Sequence, residues 1–162
     1  MLDNNLIHEL DKKSLLEDNP FPHIIVNNIL PMDIVKKAEN EFFNFDKLVA
    51  SGGYRYGNLH RNFGKFNEMP SATKEIITFF YSKNFLDFLE KKFNLKGIIP
   101  DWNLLGAGMH TSQRGGHLTI HSDFIYQKKT NTRRVLNLLL YLNADWQDDW
   151  GGKIELWDKK MT

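Results

Sequence analysis

The residues best suited to chemistry lie in GGHLTIHSDF, residues 115–124. His121 and Asp123 form the only His-x-Asp in the chain. In a β-strand, residues two apart point to the same face about 6.6 Å from one another, so both side chains can converge on one ion. Imidazole and carboxylate together suit Fe(II). The stretch therefore predicts part of a metal site.

The same motif has ordinary explanations. Short motifs arise often by accident, and a solvent-facing polar strand or a histidine satisfied by a neighbouring acid would look identical. His117 shares the strand face of His121, but four strand residues separate the two by about 13 Å, too far for one metal. A helix would bring them together, but the neighbouring glycines and β-branched residues argue against a helix.

The composition limits the other function classes. A chain of 162 residues with 41% hydrophobic and 25% charged residues predicts a single globular domain over residues 1–162. The net charge of +1 gives no electrostatic reason to expect nucleic acid or membrane as a partner. The absence of cysteine excludes thiolate catalysis and cysteine-based zinc sites. With no secretory signal and no apolar run near the length of a membrane span, a cytoplasmic protein is expected.

The first part of the chain predicts helices with one strand. The residues before Asn19 suggest a short helix or a loose arm, and residues 23–30 predict a strand. Residues 31–43 predict an amphipathic helix with three apolar residues on one face: Ile34, Ala38 and Phe42. Residues 51–70 predict an irregular or short-stranded connection.

A further helical region follows. Ser71 is a candidate helix N-cap, and the apolar residues between 76 and 93 supply faces for one or two helices. We interpret the aromatic residues among them as core packing rather than as a ligand site. From Ile98 onward, turn signals separate four strand candidates: 101–109, 117–124, 133–143 and 153–158. Helices followed by strands predict an α+β protein with helices packed against a sheet or barrel.

Three segments in order carry a family resemblance: GGHLTIHSDF, RRVLNLLLYLN and DWQDDWGGKIELWD. They resemble the 2-oxoglutarate- and Fe(II)-dependent oxygenases of the prolyl-4-hydroxylase-like group. In that group a His-x-Asp strand precedes an Arg-led strand ending in Tyr-Leu-Asn, an acidic Trp-containing turn and a Gly-Gly-led strand. Residues 19–42 are also similar to the opening strand and helix of the group. The resemblance is most specific from Gly115 to Asp158.

The resemblance implies a double-stranded β-helix, or jelly roll, with helices packed outside it. Residues from about 19 to 97 would form the helical and strand support, and residues from about 98 to 162 the jelly-roll strands. His121 and Asp123 would be iron ligands. Arg134 would bind cosubstrate or substrate, with a surface or strand-edge arginine as the alternative.

The chemistry implied by the resemblance is oxidative decarboxylation of 2-oxoglutarate to succinate and CO2, coupled to hydroxylation of a C–H bond. It requires Fe(II), 2-oxoglutarate as cosubstrate and O2, and it allows ascorbate as a further reductant. The hydroxylated substrate would be a small molecule, a sugar or a peptide. Leu118 stands where many prolyl hydroxylases carry a tyrosine that contacts 2-oxoglutarate, so contacts to the cosubstrate cannot be copied from that branch.

The family pattern also needs a second histidine downstream and a basic residue soon after it. No histidine follows His121, and no arginine follows Arg134. We therefore expect the sequence to be the front portion of a longer oxygenase, with the second half of the barrel missing and low activity on its own. Upstream His60 or His110 is an alternative source of the third ligand.

Two further hypotheses stay open. A non-catalytic jelly-roll module would bind a ligand or protein through an aromatic surface containing Tyr54, Tyr56, Trp146 and Trp150. A redox-neutral, cupin-like protein would work with Zn(II) and need no 2-oxoglutarate.

Overall fold

The computed structural model describes residues 2–50 and 60–160. The α-helices of this part of the chain are α1 (Asn4–Lys13), α2 (Met32–Asn44), α3 (Ser71–Phe80) and α4 (Lys83–Phe93). The strands are β1 (Val49–Ala50), β2 (His60–Phe63), β3 (Met109–Ser112), β4 (Tyr126–Gln127) and β5 (Thr132–Arg133). Short 3-10 helices occupy Phe66–Glu68 and Asp148–Trp150.

Local chemistry explains where α1 begins and where α4 begins and ends. Asp3 is the N-cap of α1, and its side chain accepts a hydrogen bond from the backbone N–H of Asn5 at 3.0 Å. Ser82 caps α4 in the same way, and Asn94 ends that helix in the left-handed conformation. The opening segment is thus a helix rather than a loose arm.

The predicted helix over residues 31–43 is confirmed as α2, with Ile34 and Ala38 buried. The predicted N-cap of α3 is wrong. Pro70 occupies the N-cap position, and Ser71 is the first helical residue. The carboxylate of Glu41 in α2 accepts the backbone N–H groups of Ala72 at 2.7 Å and Thr73 at 2.8 Å. Glu41 of the neighbouring helix therefore supplies the cap that the sequence pattern predicted for Ser71.

The main hydrophobic core lies among the four helices. Its buried aromatic residues are Phe79, Phe80, Phe85 and Phe88. Phe80 and Phe85 meet edge to face with ring centroids 4.9 Å apart. The interpretation as core packing is confirmed for Phe79, Phe80 and Phe85, whereas Phe93 is half-buried and lies outside this core.

A second, smaller core lies beside the three-stranded sheet β1-β2-β3, which is antiparallel throughout. Its buried members are Phe63, Met69, Leu104 and Met109. Gly108 has φ +114°, and a Cβ there would lie 2.3 Å from the carbonyl oxygen of Phe63. Only glycine allows the chain to enter β3 at this close approach.

The strand predictions are largely wrong. Residues 24–30 form no strand, and His23 contributes only an isolated bridge to Glu17. Turns precede β3 over residues 101–108, and residues 117–124, 134–143 and 153–158 form no strand. A strand exists only when a partner completes its hydrogen-bond ladder, which an apolar or alternating pattern cannot guarantee.

Some of these segments still pack. Leu140 and Leu142 lie against the main core, although neither is part of a strand. The described strands form one three-stranded sheet and one two-stranded hairpin, so the jelly roll stays a prediction. Within the described residues, no helix has the length and apolar character needed to cross a membrane.

Candidate metal centre

A tight hairpin positions the candidate site. Strands β4 and β5 are antiparallel, with Tyr126 opposite Arg133 and Gln127 opposite Thr132. The backbone N–H of Arg134 donates to the carbonyl of Ile125 at 2.7 Å, which continues the register by one pair. Opposite residues of an antiparallel pair share a face, so the hairpin brings residues 121–125 beside residues 134–137.

The imidazole of His121 is held in one tautomer. Its Nδ1 lies 2.6 Å from the carbonyl oxygen of Thr119. Because a carbonyl oxygen only accepts hydrogen bonds, Nδ1 must carry the proton, and the Nε2 of the neutral ring keeps its lone pair. This side chain is 20% exposed, and its Nε2 lies 3.5 Å from Oδ1 of Asp123. A nitrogen that can bind a metal therefore lies next to the carboxylate.

The two oxygens of Asp123 have different surroundings. Oδ2 accepts hydrogen bonds from Nη1 of Arg134 at 2.9 Å and from Nδ2 of Asn137 at 2.6 Å. Oδ1 faces Nε2 of His121. Two lone-pair atoms thus face each other, an arrangement that either a proton or a metal cation between them would stabilise.

The donor pair fits a divalent metal. Nitrogen and oxygen ligands lie about 2.0–2.2 Å from such ions, so one ion can contact two atoms that are separated by less than about 4.2 Å. The distance of 3.5 Å between Nε2 and Oδ1 meets that condition. Imidazole and carboxylate also match the ligand types of non-haem Fe(II). His121 and Asp123, predicted as ligands from the sequence, are brought together by the structure.

Further ligands do not join this pair within the described residues. No group of three or more His, Cys, Asp or Glu side chains that could hold a metal occurs there. His110 lies in β3 and does not complete a triad with His121 and Asp123. The side chain of His60 lies outside the described residues, so that alternative stays a prediction.

Arg134 is held inside the site. Its Nη2 donates to the carbonyl of Leu105 at 2.8 Å, and the centre of its guanidinium lies 4.0 Å from the ring centroid of Phe124. With the ion pair to Asp123, these contacts leave its side chain 19% exposed. The expected role of Arg134 in binding the cosubstrate stays a prediction.

Sequence reasoning missed Asn137 and the carbonyl groups of Thr119 and Leu105. Asn137 has a signal in the sequence, because it is the single polar residue within the apolar run of residues 135–140. A polar side chain in such a run usually has a hydrogen-bond partner. The two carbonyls have no such signal, since every residue carries one.

Of the four aromatic residues predicted to form a binding surface, the structure describes Trp146 and Trp150. Trp146 and Trp150 meet edge to face with ring centroids 5.2 Å apart, and both are exposed. The indole N–H of Trp146 donates to the carbonyl of Gly151 at 2.8 Å. Tyr54 and Tyr56 lie outside the described residues.

The comparisons with known proteins bear on this segment. Residues 107–162 match the family model described as the 2OG-Fe(II) oxygenase superfamily. This match supports an oxidoreductase of the dioxygenase type. It includes both candidate ligands, and the family in general uses Fe(II), 2-oxoglutarate and O2. The prolyl-4-hydroxylase-like subgroup and the use of ascorbate stay predictions. No solved structure matches the chain.

Proposed function

We propose that His121 and Asp123 hold Fe(II) in a 2-oxoglutarate-dependent dioxygenase that hydroxylates a C–H bond of a small-molecule, sugar or peptide substrate. The observation that carries the proposal is the pair of facing atoms, His121 Nε2 and Asp123 Oδ1, at 3.5 Å. The match of residues 107–162 to the oxygenase family supports the same chemistry.

The protein's own groups would prepare the metal position. When bound, Fe(II) and 2-oxoglutarate would supply electrons that activate O2, which is the oxidant of the hydroxylation. The Thr119 carbonyl keeps His121 in the tautomer that a metal ligand requires. Asp123 adds an anionic oxygen, and two protein donors leave room on the ion for further ligands.

A prolyl-hydroxylase-like substrate preference is the finer part of the proposal. It rests on the order of the three segments in the sequence, which end in the Gly-Gly-led segment at residues 151–157. Leu118 departs from the tyrosine of that branch and is exposed. We therefore propose the reaction type from the site, and a direct comparison of peptide, sugar and small-molecule substrates identifies the substrate class.

The test is a titration with Mn(II), which suits the same ligand types and resists oxidation. Bound Mn(II) is counted by the loss of its free electron paramagnetic resonance signal, with and without 2-oxoglutarate. We expect binding that 2-oxoglutarate strengthens and that His121→Ala abolishes. His117→Ala is the matched control, because it removes a nearby histidine that lies outside the donor pair.

The outcomes separate the three hypotheses. Binding of Zn(II) with no effect of 2-oxoglutarate would favour redox-neutral, cupin-like chemistry and contradict the dioxygenase. Binding of a sugar or a protein that is insensitive to chelators and to His121→Ala would favour the non-catalytic binding module. Equal Mn(II) binding by wild type and His121→Ala would show that the site is misassigned.

A further inference from the structure

We infer that Arg134 is a positioning residue, which with Asn137 orients the carboxylate of Asp123 so that Oδ1 faces His121. The inference deepens the proposed function and rests on it for the identity of the bound ion. The geometry itself comes from the contacts of Arg134, Asn137 and Asp123.

Asp123 alone has no reason to present one particular oxygen. A carboxylate turns about its last side-chain bond with little restriction, and its two oxygens are chemically equal. Two donors on Oδ2, from Arg134 at 2.9 Å and from Asn137 at 2.6 Å, remove that freedom. The other oxygen, Oδ1, then faces His121. Both bonds are charge-assisted because their acceptor is a carboxylate, but only Arg134 also brings a positive charge, so its bond contributes most.

Arg134 is itself fixed by groups outside the hairpin. Its guanidinium stacks on Phe124 and donates to Leu105, which belongs to a different segment of the chain. Gly106 has φ +66°, and a Cβ there would lie 3.1 Å from Cε1 of Phe124. The glycine leaves the room that the stacked pair occupies.

The Leu105 segment is in turn anchored to the helical part of the protein. The side chain of Asp101 accepts the backbone N–H groups of Asn103 at 3.0 Å and Leu105 at 3.1 Å. Leu104 is buried in the second core, and the hydroxyl of Tyr81 donates to the Asp101 carbonyl at 2.9 Å. Arg134 therefore ties the orientation of Asp123 to the packed core.

Lysine cannot replace this arrangement. A guanidinium presents several N–H groups in a rigid plane, which allows it to donate to Asp123 and Leu105 while it stacks on Phe124. A lysine ammonium has a similar charge but no planar fork. Arg134→Lys consequently keeps the positive charge but removes the planar hydrogen-bonding geometry.

The experiment compares Mn(II) affinity in wild type, Arg134→Lys, Arg134→Met and Asn137→Ala. Partners of metal ligands typically affect metal affinity about 10- to 100-fold when removed, so we expect that loss for Arg134→Met. Arg134→Lys should lose nearly as much and Asn137→Ala less. Arg133→Met is the matched control and should bind as wild type. Wild-type affinity in Arg134→Met and Arg134→Lys would overturn the inference.

A second measurement tests the orientation of Asp123 without any bound metal. Crystal structures without metal should show the Asp123 carboxylate in one orientation in wild type and turned or in several orientations in Arg134→Met. Asn137→Ala provides a milder variant if Arg134→Met does not fold. An unchanged carboxylate in both variants would contradict the positioning role. Failure of wild type to bind Mn(II) would contradict the proposed function instead.

Discussion

At the scale of single residues, the candidate site depends on how each polar atom is satisfied. The Thr119 carbonyl takes the Nδ1 proton of His121, and two donors occupy Oδ2 of Asp123. What remains is one nitrogen and one oxygen with lone pairs that face each other. The pairing of His121 with Asp123 could be predicted from their spacing of two residues, although the strand expected for residues 117–124 does not form. The contacts of Asp123 with Arg134 and Asn137 could not, because a polar residue in an apolar run signals that it has a partner but does not show which one.

The charge of Asp123 gives the first residue-scale prediction. Asp123→Asn keeps the size of the side chain but removes the anionic oxygen, so Mn(II) affinity should fall by at least about tenfold. The same titration of Ser122→Ala, which alters the intervening residue, should match wild type. Retained affinity in Asp123→Asn would exclude this carboxylate as a ligand.

Glu41 gives a second residue-scale prediction. Its carboxylate accepts two backbone N–H groups of α3 and the Thr73 hydroxyl, the latter at 2.8 Å. Glu41→Ala leaves those donors at a partly buried helix terminus, which typically costs about 1–3 kcal/mol. Chemical denaturation should show that loss in the free energy of unfolding. Glu39→Ala, on the same helix, should have a smaller effect, and equal effects would contradict the capping role.

At the scale of elements, helices could be predicted and strands mostly could not. The apolar period of α2 identifies its buried face from residues within one helix, and Ile34 and Ala38 are buried as expected. Residues 117–124 have strand-like composition but no ladder partner. The prediction of Ser71 as the N-cap of α3 was wrong for a related reason, because Glu41 from another helix accepts the first backbone N–H groups of α3.

The contact between α1 and α4 gives a prediction on pH. Hydrogen bonds from Lys92 and then Lys91 hold the pKa of Asp11 below its ordinary value of 3.8. The Lys92 ammonium also donates to the carbonyls of Asp11 and Ser14 at the end of α1, at 3.1 and 3.2 Å. Because the folded pKa of Asp11 is lowered, its stabilising effect is present above the unfolded pKa and is lost as the pH falls.

Thermal unfolding of Asp11→Asn between about pH 3 and pH 7 tests that linkage. The variant should unfold at a lower temperature than wild type near neutral pH, and the difference should shrink below about pH 4. Asp18→Asn changes an exposed aspartate and serves as the control. A difference that stays constant at all pH values would show that the charge of Asp11 does not stabilise the helix pair.

The aromatic core of α3 and α4 gives a further prediction. Phe85 is 2% exposed and contacts Phe79, Phe80 and Phe88. Phe85→Ala should lower the free energy of unfolding by about 3–5 kcal/mol, because it removes apolar burial and leaves a cavity. Phe43→Ala, on the exposed surface of α2, should change it little in the same denaturation experiment. Similar losses would contradict the assigned core.

At the scale of the whole molecule, the two parts of the chain differ in how they bury apolar side chains. The helices enclose the main core, whereas many large apolar residues after residue 117 are exposed. Leu139 is 61% exposed although its neighbour Leu140 packs against the main core. Exposed apolar groups of this extent usually mark a surface that another element or molecule covers.

Dye binding checks this exposure. Anilinonaphthalene sulfonate should fluoresce strongly with the wild-type chain under native conditions, because it binds exposed apolar surface. Leu139→Lys should weaken the signal without lowering the unfolding temperature. Met32→Lys, at an exposed site on α2, should leave it nearly unchanged. A wild-type chain that does not enhance the fluorescence would contradict the described exposure.

His121 and Asp123 are proposed to share one metal ion. Anomalous X-ray diffraction from crystals grown with Mn(II) and 2-oxoglutarate tests it most directly. We expect one strong anomalous peak within about 2.0–2.2 Å of both His121 Nε2 and Asp123 Oδ1. Mn(II) bound elsewhere, with these two atoms in contact with water alone, would contradict it.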